Sequence, residues 1–286
     1  MYKTEKLRRE SRALDGRGQA GKLIPMEPIF LHHDQASLDA AYDQRVWAPD
    51  AAAWIARYAV DTAAARAAHP PEVHETGMRL LDLYCRPGAR GLHLHVHGGA
   101  WRSLTRADAG FAAPDLLAAG LDMAVPDFRL LPEFTLPDMV EDVVAACLWA
   151  TRHAAGVPVH LSGHSSGAHV AAVVAGDPRL AGCFASVTLI SGVYDLRPVL
   201  LSARGGYVKL TETQARALSP IHHAGRISAP VVLAHGDRES PEFIRQTREF
   251  GAAIGVAPIV LEQTNHFAAA YALASGPVHR AMLALT

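Results

Sequence analysis

From about residue 80 onward, short runs of apolar and β-branched residues alternate with longer stretches of helical period. The apolar runs are Leu80 to Cys85, Gly91 to Val96, Leu121 to Val125, Val157 to Leu161, Val187 to Ile190, Pro230 to Ala234 and Pro258 to Leu261. Short apolar runs bounded by turn-forming residues predict buried strands. Between them, Asp108 to Ala119, Pro137 to His153, Ser166 to Ala175 and Pro241 to Ile254 predict helices. Further upstream a helical pattern starts at Ser37, taken as its N-cap, and Pro49-Asp50 ends one helix and caps another through Trp54, Ile55 and Tyr58. Strands and helices in alternation imply an α/β fold, a mostly parallel twisted sheet with helices on both faces.

Two regions break the pattern. Residues 1–30 carry Lys and Arg interrupted by Glu5, Glu10 and Asp15, and Gly16, Gly18 and Gly21 argue against a continuous helix. That stretch is expected to be a flexible arm ahead of a single domain over 31–286. The interval 194–227 is long for a connection between strands and contains Gly205-Gly206, so it is read as a small lid or an insertion.

Composition narrows the class of function. With 286 residues, half of them hydrophobic, the chain can bury a large core, and a formal net charge of −1 provides no basic field for nucleic acid or an anionic bilayer. A small-molecule substrate is the expected partner. Cys85, Cys147 and Cys183 are widely spaced and unpaired by motif, which points to a reducing cytoplasm. No apolar run reaches the length of a membrane-spanning helix.

The chemistry sits where predicted strands end. Gly163-His164-Ser165-Ser166-Gly167 fits the Gly-x-Ser-x-Gly turn that exposes a serine between a strand and a helix. A serine hydroxyl needs a base and an orienting acid to become nucleophilic. His266 follows the last predicted strand, and Asp237 follows the one before it. The order serine, acid, histidine is that of α/β-hydrolases rather than of the chymotrypsin or subtilisin arrangement. Glu239, two residues beyond Asp237, is a second acid that could reach the histidine, and Asp237 is taken as the orienting group. Upstream, His97-Gly98-Gly99-Ala100-Trp101 supplies small residues where backbone amides must converge on a developing anion.

On these segments the chain resembles α/β-hydrolases and, within them, serine-type kynurenine formamidases (arylformamidases). The likeness extends to Tyr42-Asp43-Gln44-Arg45 and to Ser191-Gly192-Val193-Tyr194-Asp195-Leu196. It implies Ser165 as nucleophile, His266 as general base and then acid, and Asp237 as the orienting acid. Gly98, Gly99, Ala100 and Ser166 would form the oxyanion hole. No cofactor is implied. The implied reaction is hydrolysis of N-formyl-L-kynurenine to kynurenine and formate through an acyl-enzyme. A carboxylesterase for short-chain or aryl esters shares every catalytic residue and is the alternative, and a non-catalytic binding protein on the same fold is the remote one.

Trp101 and Phe267 are candidate walls for an aromatic leaving group, with packing beneath the loop as the other reading of Trp101. Trp47, Trp54 and Tyr58 read as core. His93, His95 and His97 alternate at strand spacing, but no carboxylate or cysteine accompanies them, so packing is expected there and no metal. A homodimer is the expected assembly.

Overall fold

In the computed structural model, residues 27–154 and 156–286 are described. Most of the predicted arm, residues 1–26, lies outside them. Eight strands form one sheet: β1 (Glu72–Thr76), β2 (Arg79–Tyr84), β3 (Gly91–Val96), β4 (Leu121–Pro126), β5 (Val159–His164), β6 (Ser186–Ile190), β7 (Val231–Gly236) and β8 (Ile259–Leu261). Their order is β1-β2-β4-β3-β5-β6-β7-β8. The pairs β1/β2 and β2/β4 are antiparallel, and every other pair is parallel.

Among the described residues ten α-helices accompany the sheet: α1 (Gln35–Tyr42), α2 (Ala51–Ala68), α3 (Ala113–Ala118), α4 (Leu136–His153), α5 (Ser166–Ala175), α6 (Arg197–Leu201), α7 (Gly205–Val208), α8 (Glu212–Ala217), α9 (Pro241–Ile254) and α10 (Gly276–Leu283). Alternation along the strands divides the core in two. Leu92, Leu94 and Val96 pack with residues of α4, α5 and α9, whereas Leu121, Met123 and Val125 pack with residues of α3 and α10. The sheet is thereby covered on both faces.

Three sequence expectations need correction. β1 was not foreseen because its residues Glu-Val-His-Glu-Thr are largely exposed at the sheet edge, so no apolar run marks it. The N-cap of α1 is Asp34, whose carboxylate accepts from the Ser37 amide at 2.8 Å, and Ser37 lies inside the first turn. The helix expected from Asp108 begins only at Ala113, after a 3-10 turn over Arg106–Asp108 capped by Thr105. Gly110 lies between these segments, packed so closely against Tyr84 that a Cβ would fall 2.1 Å from its hydroxyl.

The β3 histidines are held by hydrogen bonds within the sheet. Ser162 Oγ on β5 lies 2.7 Å from His93 Nε2 and 2.8 Å from His95 Nδ1. Among the described residues no group of three His, Cys, Asp or Glu converges as metal ligands, and no helix is long and apolar enough to cross a membrane.

Candidate active site

Parallel strands β3, β5, β7 and β8 all deliver their carboxyl ends to one edge of the sheet, where α/β folds concentrate reactive groups. Pairings Val96 with Gly163, His164 with Ile190 and Gly236 with Leu261 bring these ends level.

Ser165 sits between β5 and α5 with φ 57° and ψ −125°, a left-handed conformation that costs about 1–3 kcal/mol for a residue with a side chain. Its amide donates to Ile190 O at 2.9 Å, which anchors the strained turn to β6. The flanking glycines permit that turn. A Cβ on Gly163 would lie 2.3 Å from Gly167 O, and one on Gly167 would lie 2.1 Å from Val96 O.

His266 is buried, with Nε2 2.8 Å from Ser165 Oγ and Nδ1 2.8 Å from Glu239 Oε2. The ring therefore carries its proton on Nδ1 and presents a lone pair to the serine. Phe243 and Phe267 meet the ring edge to face, with centroids 4.8 Å and 5.5 Å away, and fix its plane. His164 Nε2 donates to the His266 carbonyl at 2.9 Å. Burial, reinforced by the neighbouring His266, drives the His164 pKa down to about 3, so this second imidazole stays neutral and serves as a brace.

Where the sequence led to the expectation of Asp237, the acid that meets His266 is Glu239. Its Oε1 accepts from Ser191 Oγ at 2.5 Å and from the Gly236 amide at 2.6 Å, while Oε2 accepts from His266. Burial pushes this carboxyl up, but the donors at His266, Ser191 and Gly236 outweigh it and hold the group below its usual range. It is an anion satisfied by three hydrogen bonds in a dry site.

Asp237 faces solvent and accepts from the Thr264 amide at 3.0 Å. The physical reason is the turn after β7. Asp237 N donates to Leu261 O and Arg238 N donates to Thr264 O, so these residues run alongside the β8 end with the aspartate outside. Two residues on, the chain turns back inward, and the longer glutamate side chain reaches the imidazole. Asp237 steadies the loop that carries His266 without touching the ring.

Facing Ser165, the loop after β3 holds three consecutive left-handed residues, Gly99 (φ 103°), Ala100 (φ 53°) and Trp101 (φ 62°). Close approach dictates the glycines: a Cβ on Gly98 would sit 3.2 Å from Ser165 Cβ, and one on Gly99 would be 2.0 Å from Ser103 O. Among the described residues the Gly99, Ala100 and Ser166 amides have no acceptor, whereas the Trp101 amide donates to Ser166 Oγ at 3.1 Å. These three unengaged donors lie at the first turn of α5 and in the loop that faces Ser165.

A cavity of about 340 Å³ opens above Ser165 and His266. Tyr42 at the end of α1, Tyr58 on α2, Tyr207 on α7 and Phe267 supply its aromatic surface. Phe267, a candidate wall, lines this cavity. Trp101 does not: it is fully buried, and its Nε1 donates to His169 Nδ1 at 3.2 Å. Because His169 Nε2 in turn donates to Leu218 O at 2.8 Å, Trp101 ties the oxyanion loop to the segment after α8 and forms no wall. Tyr58, read as core, is buried and lines the cavity as well, with its hydroxyl donating to Phe267 O at 2.5 Å.

Sequence reasoning passed over Ser191 and Arg204. Ser191 lay within a segment noted for its resemblance, yet only its contact with Glu239 shows what it does. Arg204 belongs to the 194–227 interval, of which Ser202, Ala203, Arg204 and Tyr207 reach the cavity.

The chain is similar to several known proteins. Kynurenine formamidase of Danio rerio is 29% identical over 197 residues, spanning 62% of this chain and 65% of that protein, so the match covers just under two thirds of that relative. The Salmo salar kynurenine formamidase is 29% identical over 216 residues, 68% of this chain and 71% of that protein. A solved structure from Silicibacter sp., provisionally assigned as a thioesterase, superposes with a TM-score of 0.78 at 27% identity, covering 83% of this chain and 95% of its own. Residues 93–239, which run from β3 through Ser165 to the orienting glutamate, match the profile of the alpha/beta hydrolase fold, and the chain belongs to that family.

Proposed function

We propose that this protein is a serine hydrolase that removes the formyl group from an aromatic amine, with N-formyl-L-kynurenine as substrate and kynurenine and formate as products. The observation that carries this reading is the continuous hydrogen-bonded row Ser165, His266, Glu239 at the floor of a cavity walled by tyrosine and phenylalanine rings. The two kynurenine formamidase relatives support the choice of substrate.

In this mechanism Ser165 Oγ attacks the formyl carbon while His266 Nε2 takes the hydroxyl proton. Glu239 stabilises the resulting imidazolium through Nδ1–H. Negative charge on the formyl oxygen is received by the Gly99, Ala100 and Ser166 amides, each such donor being worth about a hundredfold or more in rate. Collapse breaks the C–N bond, and His266 returns the proton to the departing aryl amine. Water, deprotonated by the same imidazole, then hydrolyses the formyl ester on Ser165 and releases formate.

Release of kynurenine from N-formyl-L-kynurenine, compared with hydrolysis of p-nitrophenyl acetate, is the test. Turnover of the formamide that vanishes in Ser165→Ala is the expected result. Brisk ester hydrolysis with the formamide untouched would reduce the reading to an esterase.

A further inference from the structure

The arginines Arg106, Arg129 and Arg245 are each about one-fifth exposed, and each is paired with acids. Arg106 bridges Asp82 and Asp127, Arg129 holds Asp142 and Asp138, and Arg245 holds Glu242 and Glu249. Arg204 departs from this pattern. It lines the cavity that contains Ser165, and its guanidinium carbon lies 5.6 Å from the Tyr42 ring centre, 5.7 Å from Trp101 and 5.8 Å from Phe243. Nη2 donates to the Tyr42 carbonyl, while Nη1 is sealed from water without a hydrogen-bond partner among the described residues.

The acids on the same wall are otherwise engaged. Asp43 accepts from Arg45 Nε at 2.8 Å and from Arg45 Nη2 at 3.0 Å, and Asp39 accepts from the Ala203 amide at 2.6 Å and from Gln35 Nε2 at 2.9 Å. A second cation, Arg102, lines the cavity with its guanidinium carbon 4.6 Å from the Tyr207 ring. Burial, with Arg102 adding repulsion against the pull of Tyr207, Tyr42 and Asp43, draws the Arg204 pKa below its ordinary value. A guanidinium remains charged under such pressure, so the cavity wall holds a half-buried cation with no ion-pairing acid among the described residues.

The backbone holds it there. Arg204 N donates to Ser202 Oγ at 3.2 Å, and a Cβ on Gly205 would lie 2.1 Å from Leu200 O, so the α6–α7 turn has little freedom. Once a formyl carbonyl occupies the oxyanion amides, the acyl group fills little of the cavity. What faces Arg204 is then the leaving portion of the substrate.

We propose that Arg204, assisted by Arg102, is a specificity-determining residue that binds a carboxylate on the aromatic leaving portion of the substrate. The placement on the leaving side rests on the formamidase reading. Planar guanidinium matches planar carboxylate, and a charge-assisted pair in a water-poor pocket discriminates strongly against the neutral analogue.

The experiment compares kcat/KM for O-acetyl phloretic acid with that for its carboxamide, two aryl acetates that a serine hydrolase can cleave whether or not it accepts formamides. Wild type should prefer the acid by about tenfold or more. Arg204→Gln should lose the preference, and Arg204→Lys should keep part of it. Equal use of acid and amide by wild type, or an undiminished preference in Arg204→Gln, would overturn the assignment. Calorimetric binding of phenylbutyrate and phenylbutyramide to wild type reads the same discrimination without turnover or substitution. About tenfold tighter binding of the acid is expected, and equal binding would overturn the assignment. Acid preference on these probes with N-formyl-L-kynurenine untouched would defeat the formamide reading alone.

Discussion

The floor and the wall of the cavity are built on different principles. On the floor, at the carboxyl edge of the sheet, each polar side-chain atom of the Ser165, His266 and Glu239 row has a partner between 2.5 Å and 2.8 Å, and the backbone is strained at Ser165. On the wall, contributed by α1, the α6–α7 turn and Tyr58, aromatic surface surrounds a cation that has no ion-pairing acid among the described residues. The floor is complete without a ligand, whereas the wall is not. A site so divided can keep one chemistry while its selectivity is set by short helices that the sheet does not constrain.

Removing the nucleophile is the most severe way to break that comparison. Ser165→Ala should lower kcat by about 10⁴-fold or more and abolish labelling by a fluorophosphonate. Glu239→Gln keeps the shape but denies His266 its anion, and a loss of about 10³- to 10⁴-fold in kcat is expected, read from initial rates at saturating substrate. A milder effect belongs to Trp101→Ala. By removing a buried ring it should cost about 3–5 kcal/mol in urea unfolding, whereas Phe267→Ala should act chiefly on KM. If Trp101→Ala changed KM alone, its placement beneath the loop would be wrong.

Buried histidines yield a prediction in pH. Desolvation pushes His95 and His164 down to about 3, and His160 and His169 down to about 4. In the unfolded chain each titrates near 6.5, so between those values the unfolded state binds more protons. Stability is therefore fully present above about pH 6.5 and is lost as pH falls, each group contributing about 1.4 kcal/mol per pH unit inside its window. Urea midpoints measured from pH 7 to pH 4 should fall steeply, and a flat profile would contradict the neutral state of these rings. The smallest effect is expected at Asp237→Asn, within about 1 kcal/mol of stability and a few-fold in kcat/KM, because this exposed carboxylate meets loop amides and not the imidazole. A loss as large as that of Glu239→Gln would restore Asp237 as the orienting acid.

How far the residues announced this arrangement differs by element. The seven apolar runs became seven of the eight strands because the central strands, buried on both faces, demand continuous apolar sequence, and α5 and α9 were read at their observed bounds. The polar edge strand β1 left no such mark. Gly163, Ser165 and Gly167 were legible because only small residues survive where β5, α5 and the β3 loop cross. Trp101 was ambiguous since an aromatic ring beside a catalytic loop serves either packing or binding, and its bond to His169 decided the matter.

Local sequence determined the layered sheet, the strained serine turn, the glycine loop opposite it and the histidine after the last strand, since each depends on backbone sterics or on short-range periodicity. Tertiary structure alone decided which acid orients His266, because two carboxylates two residues apart differ only in which side of a turn they leave. It alone placed Arg204 among three rings, because residues far apart in the chain, Tyr42, Trp101 and Phe243, create that surrounding.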